Sequence, residues 1–208
     1  MSVFDLVRVT TQPGMTAVDI GANLGGVTAA LVQRASPGGR VYAIEPCPWT
    51  VETGRVLVPE ATWLQCAIGA STGPGPFYLS ADHRHNTCWA ANAVTPTGAI
   101  QVPIVTLDQL QTDGLLPAQI DVIKVDTQGG ESAVLRGATA LLKQHRTAWI
   151  LELWPVGLQR AGASLEQLIA QCQAAALTPL GSTWDAILEA AQQIQSEHGS
   201  FDVVVVPA

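Results

Sequence analysis

Residues 16–26 read Thr16-Ala17-Val18-Asp19-Ile20-Gly21-Ala22-Asn23-Leu24-Gly25-Gly26. An apolar run that carries an acid one residue before its end and is followed by a glycine cluster is the pattern of a buried strand turning tightly into a helix. Val27, Ala30 and Leu31 mark the apolar face of that helix, and Arg40 to Pro46 reads as the next strand, which makes a βαβ unit. In an open α/β sheet ligands lie at the carboxyl ends of the strands, so a ligand is expected at this turn.

The same alternation continues outward. Thr62 to Gly69 reads as a third strand and Ile120 to Thr127 as a fourth, followed by a helix with Val134, Leu135, Ala138, Leu141 and Leu142 on its core face. Thr147 to Trp154 reads as a fifth strand. Ser164 caps the next helix, with Gln167 three residues on as a capping box. A short strand near Thr178 to Leu180, a helix from about Trp184 to Gln195 and a last strand Phe201 to Val206 complete seven strands with helices between. Alternation fails between the third and fourth strands. There, about residues 70–119 hold Gly and Pro turns, two strand-like pieces (Pro76 to Ser80, Ala99 to Val105) and a polar stretch, Ser80 to Thr97. An insertion of that length in a compact domain is usually functional or mobile, so it is expected to cover a substrate.

The 208 residues are 48% hydrophobic and 13% charged, the composition of a chain that buries a core, and one domain over residues 1–208 is expected. Seventeen acids against ten bases give a net charge of -7, and only Lys124 and Lys143 are lysines, so nucleic acid is not an expected partner. No run of ~20 apolar residues suggests a membrane span. Without a basic segment followed by an apolar one at the start, a cytoplasmic protein is expected. Cys47, Cys66, Cys88 and Cys172 lack metal-site spacing and read as free thiols, and no metal site is assigned.

The second strand ends in Ala43-Ile44-Glu45-Pro46, where a carboxylate can accept hydrogen bonds from both hydroxyls of a ribose. A dinucleotide fingerprint would place glycine at 21, 23 and 26, and position 23 is Asn. Its side chain crowds a pyrophosphate, and Asp19 repels phosphate while attracting an ammonium group. Those preferences fit S-adenosylmethionine, which has a ribose and an amino group but no phosphate, better than NAD.

Four blocks in order carry a resemblance: Val18-Asp19-Ile20-Gly21-Ala22-Asn23-Leu24-Gly25; Ile44-Glu45-Pro46; Thr106-Leu107-Asp108-Gln109-Leu110 ahead of Ile120-Asp121-Val122-Ile123-Lys124-Val125-Asp126-Thr127-Gln128-Gly129-Gly130-Glu131; and Leu151-Glu152-Leu153. Over roughly residues 13 to 155 the chain resembles the FkbM family of S-adenosylmethionine-dependent methyltransferases. It departs from the family in a short lead before the first strand and in Gly130, where a larger residue is more usual. The resemblance implies a Rossmann-like class I methyltransferase fold, an α/β architecture with helices on both faces. Its seven-stranded, mostly parallel sheet runs in order 3-2-1-4-5-7-6 with the last strand antiparallel. It implies that Asp19, Gly21, Asn23 and Gly25 cradle the methionine portion of the cofactor, Glu45 the ribose, and Ala67 and Ile68 the adenine. Asp126 would then face the reacting methyl group.

Methyl transfer to a hydroxyl requires alignment, exclusion of water and a base. His83 and His85, in Asp82-His83-Arg84-His85-Asn86, are candidate bases that an extended strand would point to one face, also the geometry of a weak metal pair. Glu152 and Asp126 are the carboxylate candidates. His85 ranks first, because Asp126, like Glu131, stands where the start of a helix can occupy it. The reading is a small-molecule O-methyltransferase acting on a sugar or natural product, with self-association left open. The alternatives are an N-methyltransferase with the same cofactor site and a binding module without turnover.

Overall fold

The computed structural model describes residues 1–194 and 199–208. The expected end of the last helix at Gln195 lies outside them. The strands are β1 (Thr16–Ile20), β2 (Arg40–Ile44), β3 (Thr62–Leu64), β4 (Ala67–Ile68), β5 (Gly73–Ser80), β6 (Pro96–Val105), β7 (Val122–Val125), β8 (Ala148–Leu153), β9 (Leu177–Pro179) and β10 (Phe201–Pro207). Among the described residues, seven of them form one sheet in the order β3-β2-β1-β7-β8-β10-β9. Numbered among themselves, these seven run 3-2-1-4-5-7-6. The pairs from β3 to β8 are parallel, and β10 runs antiparallel to both neighbours.

The period-two alternation of the central strands sends side chains to two cores. Ala17, Val41, Val122, Ile150 and Val204 face α1 (Val3–Thr10) and α2 (Gly26–Ala35), and Ala43 on the same side meets α3 (Pro48–Leu57). Val18, Ile20, Ile123, Val125, Trp149 and Leu151 face the other side. That side is covered by α4 (Leu107–Thr112), α5 (Glu131–Arg136), α6 (Thr139–Leu142), α7 (Pro155–Arg160), α8 (Leu165–Ala174) and α9 (Trp184–Gln192). Each fully buried Ile or Leu here contributes roughly 1.5–3 kcal/mol. The Ser164–Gln167 capping box at the start of α8 is formed as expected.

Three elements differ from the sequence reading. The third strand does not run through residue 69: it stops at Leu64, and the chain re-enters as β4 in a second, three-stranded sheet of order β4-β6-β5. The single helix expected to carry Val134, Leu135, Ala138, Leu141 and Leu142 is divided at Gly137, where a Cβ would lie 2.1 Å from the Gly69 carbonyl oxygen. The insertion is mainly this second sheet, and its last part is not cover at all, because Leu107, Leu110 and Leu116 belong to the main core.

Candidate active site

The ends of β1, β2 and β7 converge on a cavity of about 880 Å³, roofed by the insertion. Two tight turns shape its floor. Gly21, at φ 79°, passes so close to β7 that a Cβ there would collide with the Asp126 carbonyl oxygen at 1.8 Å. Only glycine combines that conformation with that approach. Gly25, at φ 91°, precedes α2 and faces Val58 and Trp63, so it shapes the turn without lining the cavity.

Asp19 is fully buried. Its Oδ2 accepts from Thr28 Oγ1 at 2.6 Å, while its Oδ1 is buried with no partner. Burial raises its pKa against the opposing pull of Lys124, the residue in register with it on β7. A buried, unpaired carboxylate oxygen on a cavity wall is a place for a cation or a donor. Glu45 is 6% exposed, and its two oxygens accept from the Cys47 and Asn23 amides at 3.0 and 3.1 Å. Burial nevertheless lifts its pKa to about 7. Asn23 takes a left-handed backbone, φ 50°, that aims its amide at Glu45. Ala67 and Ile68 line the cavity beside Pro46.

Asp126 also lines the cavity, with about a third of its side chain exposed. The helix start does not occupy it, contrary to expectation. Its Oδ2 accepts from Lys124 Nζ at 2.8 Å and its Oδ1 from Gln128 Nε2 at 2.9 Å. The residue that satisfies the turn before α5 is Glu131, whose Oε1 accepts from the amides of Thr127 and Gly129 and from Thr127 Oγ1. Glu152 is not on the cavity wall. It lies behind Gln128, whose Nε2 reaches its Oε2 at 3.2 Å, and burial with the neighbouring Asp126 holds its pKa well above the usual carboxylate range. Burial and Lys124 pull Asp126 in opposite directions, and the lysine prevails, keeping it ionised.

His83 and His85 both line the cavity, but on one turn of 3-10 helix, His83–His85, rather than on an extended strand. Asp82 caps that turn through the Arg84 amide, which explains why strand geometry does not form there. The roof is fastened near its base: Asn92 Nδ2 donates to the carbonyls of Gln128 and Gly157, both at 2.9 Å, and Thr87 Oγ1 donates to Gln128 O at 3.3 Å.

The sequence pattern described as the methyltransferase FkbM domain matches residues 19–175. The chain belongs to the FkbM methyltransferase family. Its fold is that of the solved FkbM methyltransferase from Methylobacillus flagellatus, with a TM-score of 0.58 at 13% identity, covering 97% of this chain and 50% of that one. It is 28% identical over 159 residues to a trans-aconitate 2-methyltransferase of Azoarcus sp., covering 71% of this chain and 58% of the relative. It is 32% identical over 108 residues to a protein-L-isoaspartate O-methyltransferase of Aeropyrum pernix, covering 47% and 41%. The chain thus spans about half the length of these curated relatives. The FkbM cofactor, S-adenosylmethionine, suits the residues present: the orphaned Asp19 oxygen and the Glu45 carboxyl both agree with it.

In this FkbM domain some site residues carry no weight in the sequence reading. Lys124 is the one charge in Val122-Ile123-Lys124-Val125, on the same strand face as Asp126 two residues later. That alternation is a legible signal of a buried ion pair. Gln128, left-handed at φ 55°, and Asn92, 36 residues away in sequence, become visible as partners only once folded.

Proposed function

We propose that this domain transfers a methyl group from S-adenosylmethionine to a hydroxyl of a small molecule such as a sugar or natural product. The observation that carries the cofactor reading is the pairing of Glu45 with the unpaired, fully buried Asp19 Oδ1 on one cavity wall. Asp19 with the Gly21–Asn23 turn binds the methionine amino group, Glu45 the ribose, and Ala67 and Ile68 the adenine. Gly25 acts through the turn. When bound, the cofactor supplies an electrophilic methyl group; the chain's part is to orient the acceptor, exclude water and take up its proton. His85 on the roof is assigned the proton, with His83 beside it. Asp126 is already engaged by Lys124 and Gln128, and Glu152 is set back from the cavity.

A second reading has its own support. Arg136 lines the cavity and has no carboxylate partner among the described residues, and the named relatives act on trans-aconitate and isoaspartate. A carboxylate acceptor held by arginine needs no base. Turnover with S-adenosylmethionine against a panel of sugars, phenols, amines and carboxylic acids separates the readings. His85→Ala is expected to lower kcat about 10²- to 10⁴-fold for a hydroxyl acceptor and to spare a carboxylate acceptor. Methylation of amines alone would overturn both.

A further inference from the structure

Behind the cavity floor, β1, β7, β8 and β10 gather acids around a single lysine. Lys124, 3% exposed, donates to Asp126 Oδ2 at 2.8 Å. Gln128 Nε2 donates to both Asp126 Oδ1, at 2.9 Å, and Glu152 Oε2, at 3.2 Å, so one amide nitrogen bridges the two carboxyl groups. Asp202 stands directly opposite Glu152 across the β8–β10 pairing, Glu131 faces it from the start of α5, and Asp19 faces Lys124 from β1. One lysine does not neutralise that set, and two carboxyl groups bridged by one amide nitrogen in a buried site do not both ionise readily. The pair has two outlets: Asp126 borders the cavity, and Glu152 Oε1 accepts from the exposed Ser200 Oγ at 2.8 Å. The buried, unpaired Asp19 Oδ1 on the same cavity wall points independently to a ligand there.

We propose that the Asp126–Glu152 pair shares one proton while the cavity is free of ligand and releases it to water past Ser200 when a cationic cofactor enters. The inference rests on the cofactor reading above. A positive charge in a cavity lined by Asp126 replaces the proton's charge and favours full ionisation of the pair. By linkage, full ionisation favours the cation in return. S-adenosylmethionine carries a sulfonium charge and S-adenosylhomocysteine does not, while the rest of the two molecules is common. The pair therefore sorts donor from spent product by charge, and makes Glu152 a specificity residue that never touches the ligand.

Calorimetry of the full chain with each of the two ligands, from about pH 6 to pH 9 in buffers of different ionisation enthalpy, tests this. S-adenosylmethionine is expected to release more protons than S-adenosylhomocysteine, by up to about one, and its relative affinity to rise with pH by at most about tenfold per unit. The ribose contact of Glu45 is common to both ligands, and Glu152→Gln separates the pair's share of the difference from any share of Glu45 or Asp19 on the same cavity. Glu152→Gln is expected to abolish the difference while both ligands still bind. If that variant does not fold, Asp202→Asn serves: removing the facing carboxyl eases ionisation of Glu152 and moves the effect to lower pH. Equal proton release by the two ligands, a difference untouched by Glu152→Gln, or a window unmoved in Asp202→Asn overturns the proposal. If neither ligand binds, the cofactor reading itself fails and takes this inference with it.

Discussion

The Glu45 carboxyl accepts two backbone amides yet has its pKa pushed up to about 7, because burial outweighs both hydrogen bonds. A carboxyl raised from 4.5 contributes stability that is full below about pH 4.5 and is lost as pH rises through about 7. Glu45→Gln should remove that dependence: thermal unfolding across this window is expected to show a slope shallower than wild type, by up to about 3 kcal/mol in total. A Glu45→Gln protein with the wild-type slope would mean that another group governs it. The same carboxyl should matter for the ligand, and Glu45→Ala is expected to weaken S-adenosylmethionine binding by about 1.5–3 kcal/mol, read by calorimetry. Gly21→Ala tests the floor differently. A left-handed alanine costs roughly 1–2 kcal/mol before any clash, and the Asp126 carbonyl leaves its Cβ no room, so a lower melting temperature and loss of cofactor binding are expected together. Asp19 and Glu45 were legible in the sequence because each is an acid at or next to the carboxyl end of an apolar strand, where an α/β sheet meets its ligand. Gln128 was not, because its role depends on a left-handed backbone and on partners from β8 and the roof.

Among the elements, the roof is the part least visible in the sequence. Pattern alone located β5 and β6 to within a few residues, since both alternate between Gly or Pro turns, but nothing local showed that β4 would leave the main sheet to pair with β6. Strand partners are non-local, and a two-residue strand has no periodicity to read. The same limit placed His83 and His85 on a strand when a capped turn holds them. Fastening by Asn92 and Thr87 gives the roof two dynamic regions. Hydrogen exchange in the ligand-free protein is expected to be fast at Asp82 and His83, which lead into the exposed turn, and slow at Thr87 and Asn92, whose amides bond to Tyr78 and Trp89 carbonyls. Asn92→Ala strips the Gly157 carbonyl of one donor and leaves Gln128 O to Thr87 alone; a loss of about 1–3 kcal/mol and faster exchange throughout the roof are expected. Uniformly fast exchange in the wild-type chain would show that these bonds do not hold it.

At the scale of the whole molecule, the order of the seven strands came from the resemblance of four blocks, since periodicity identifies strands without ranking them in a sheet. Saturating S-adenosylhomocysteine at about a hundred times its Kd should add about 2.7 kcal/mol. For a chain of this size that is a rise in melting temperature of about 5–10 °C, while NAD should leave it unchanged; an equal rise with NAD would undo the argument built on Asn23. The parallel pairing of Ala67–Ile68 with Ile104–Val105 carries a last consequence. The second sheet begins and ends at neighbouring points, so the roof is a cassette clipped to the open-sheet floor by its own two ends, and closing a shorter or longer segment between them costs little extra chain entropy. Exchange of the chain between these two ends leaves β1, β2, β7 and β4 itself untouched, along with Asp19, Glu45, Ala67 and Ile68. The chain between the two clips is therefore free to vary in length and content while the floor of the cavity stays the same.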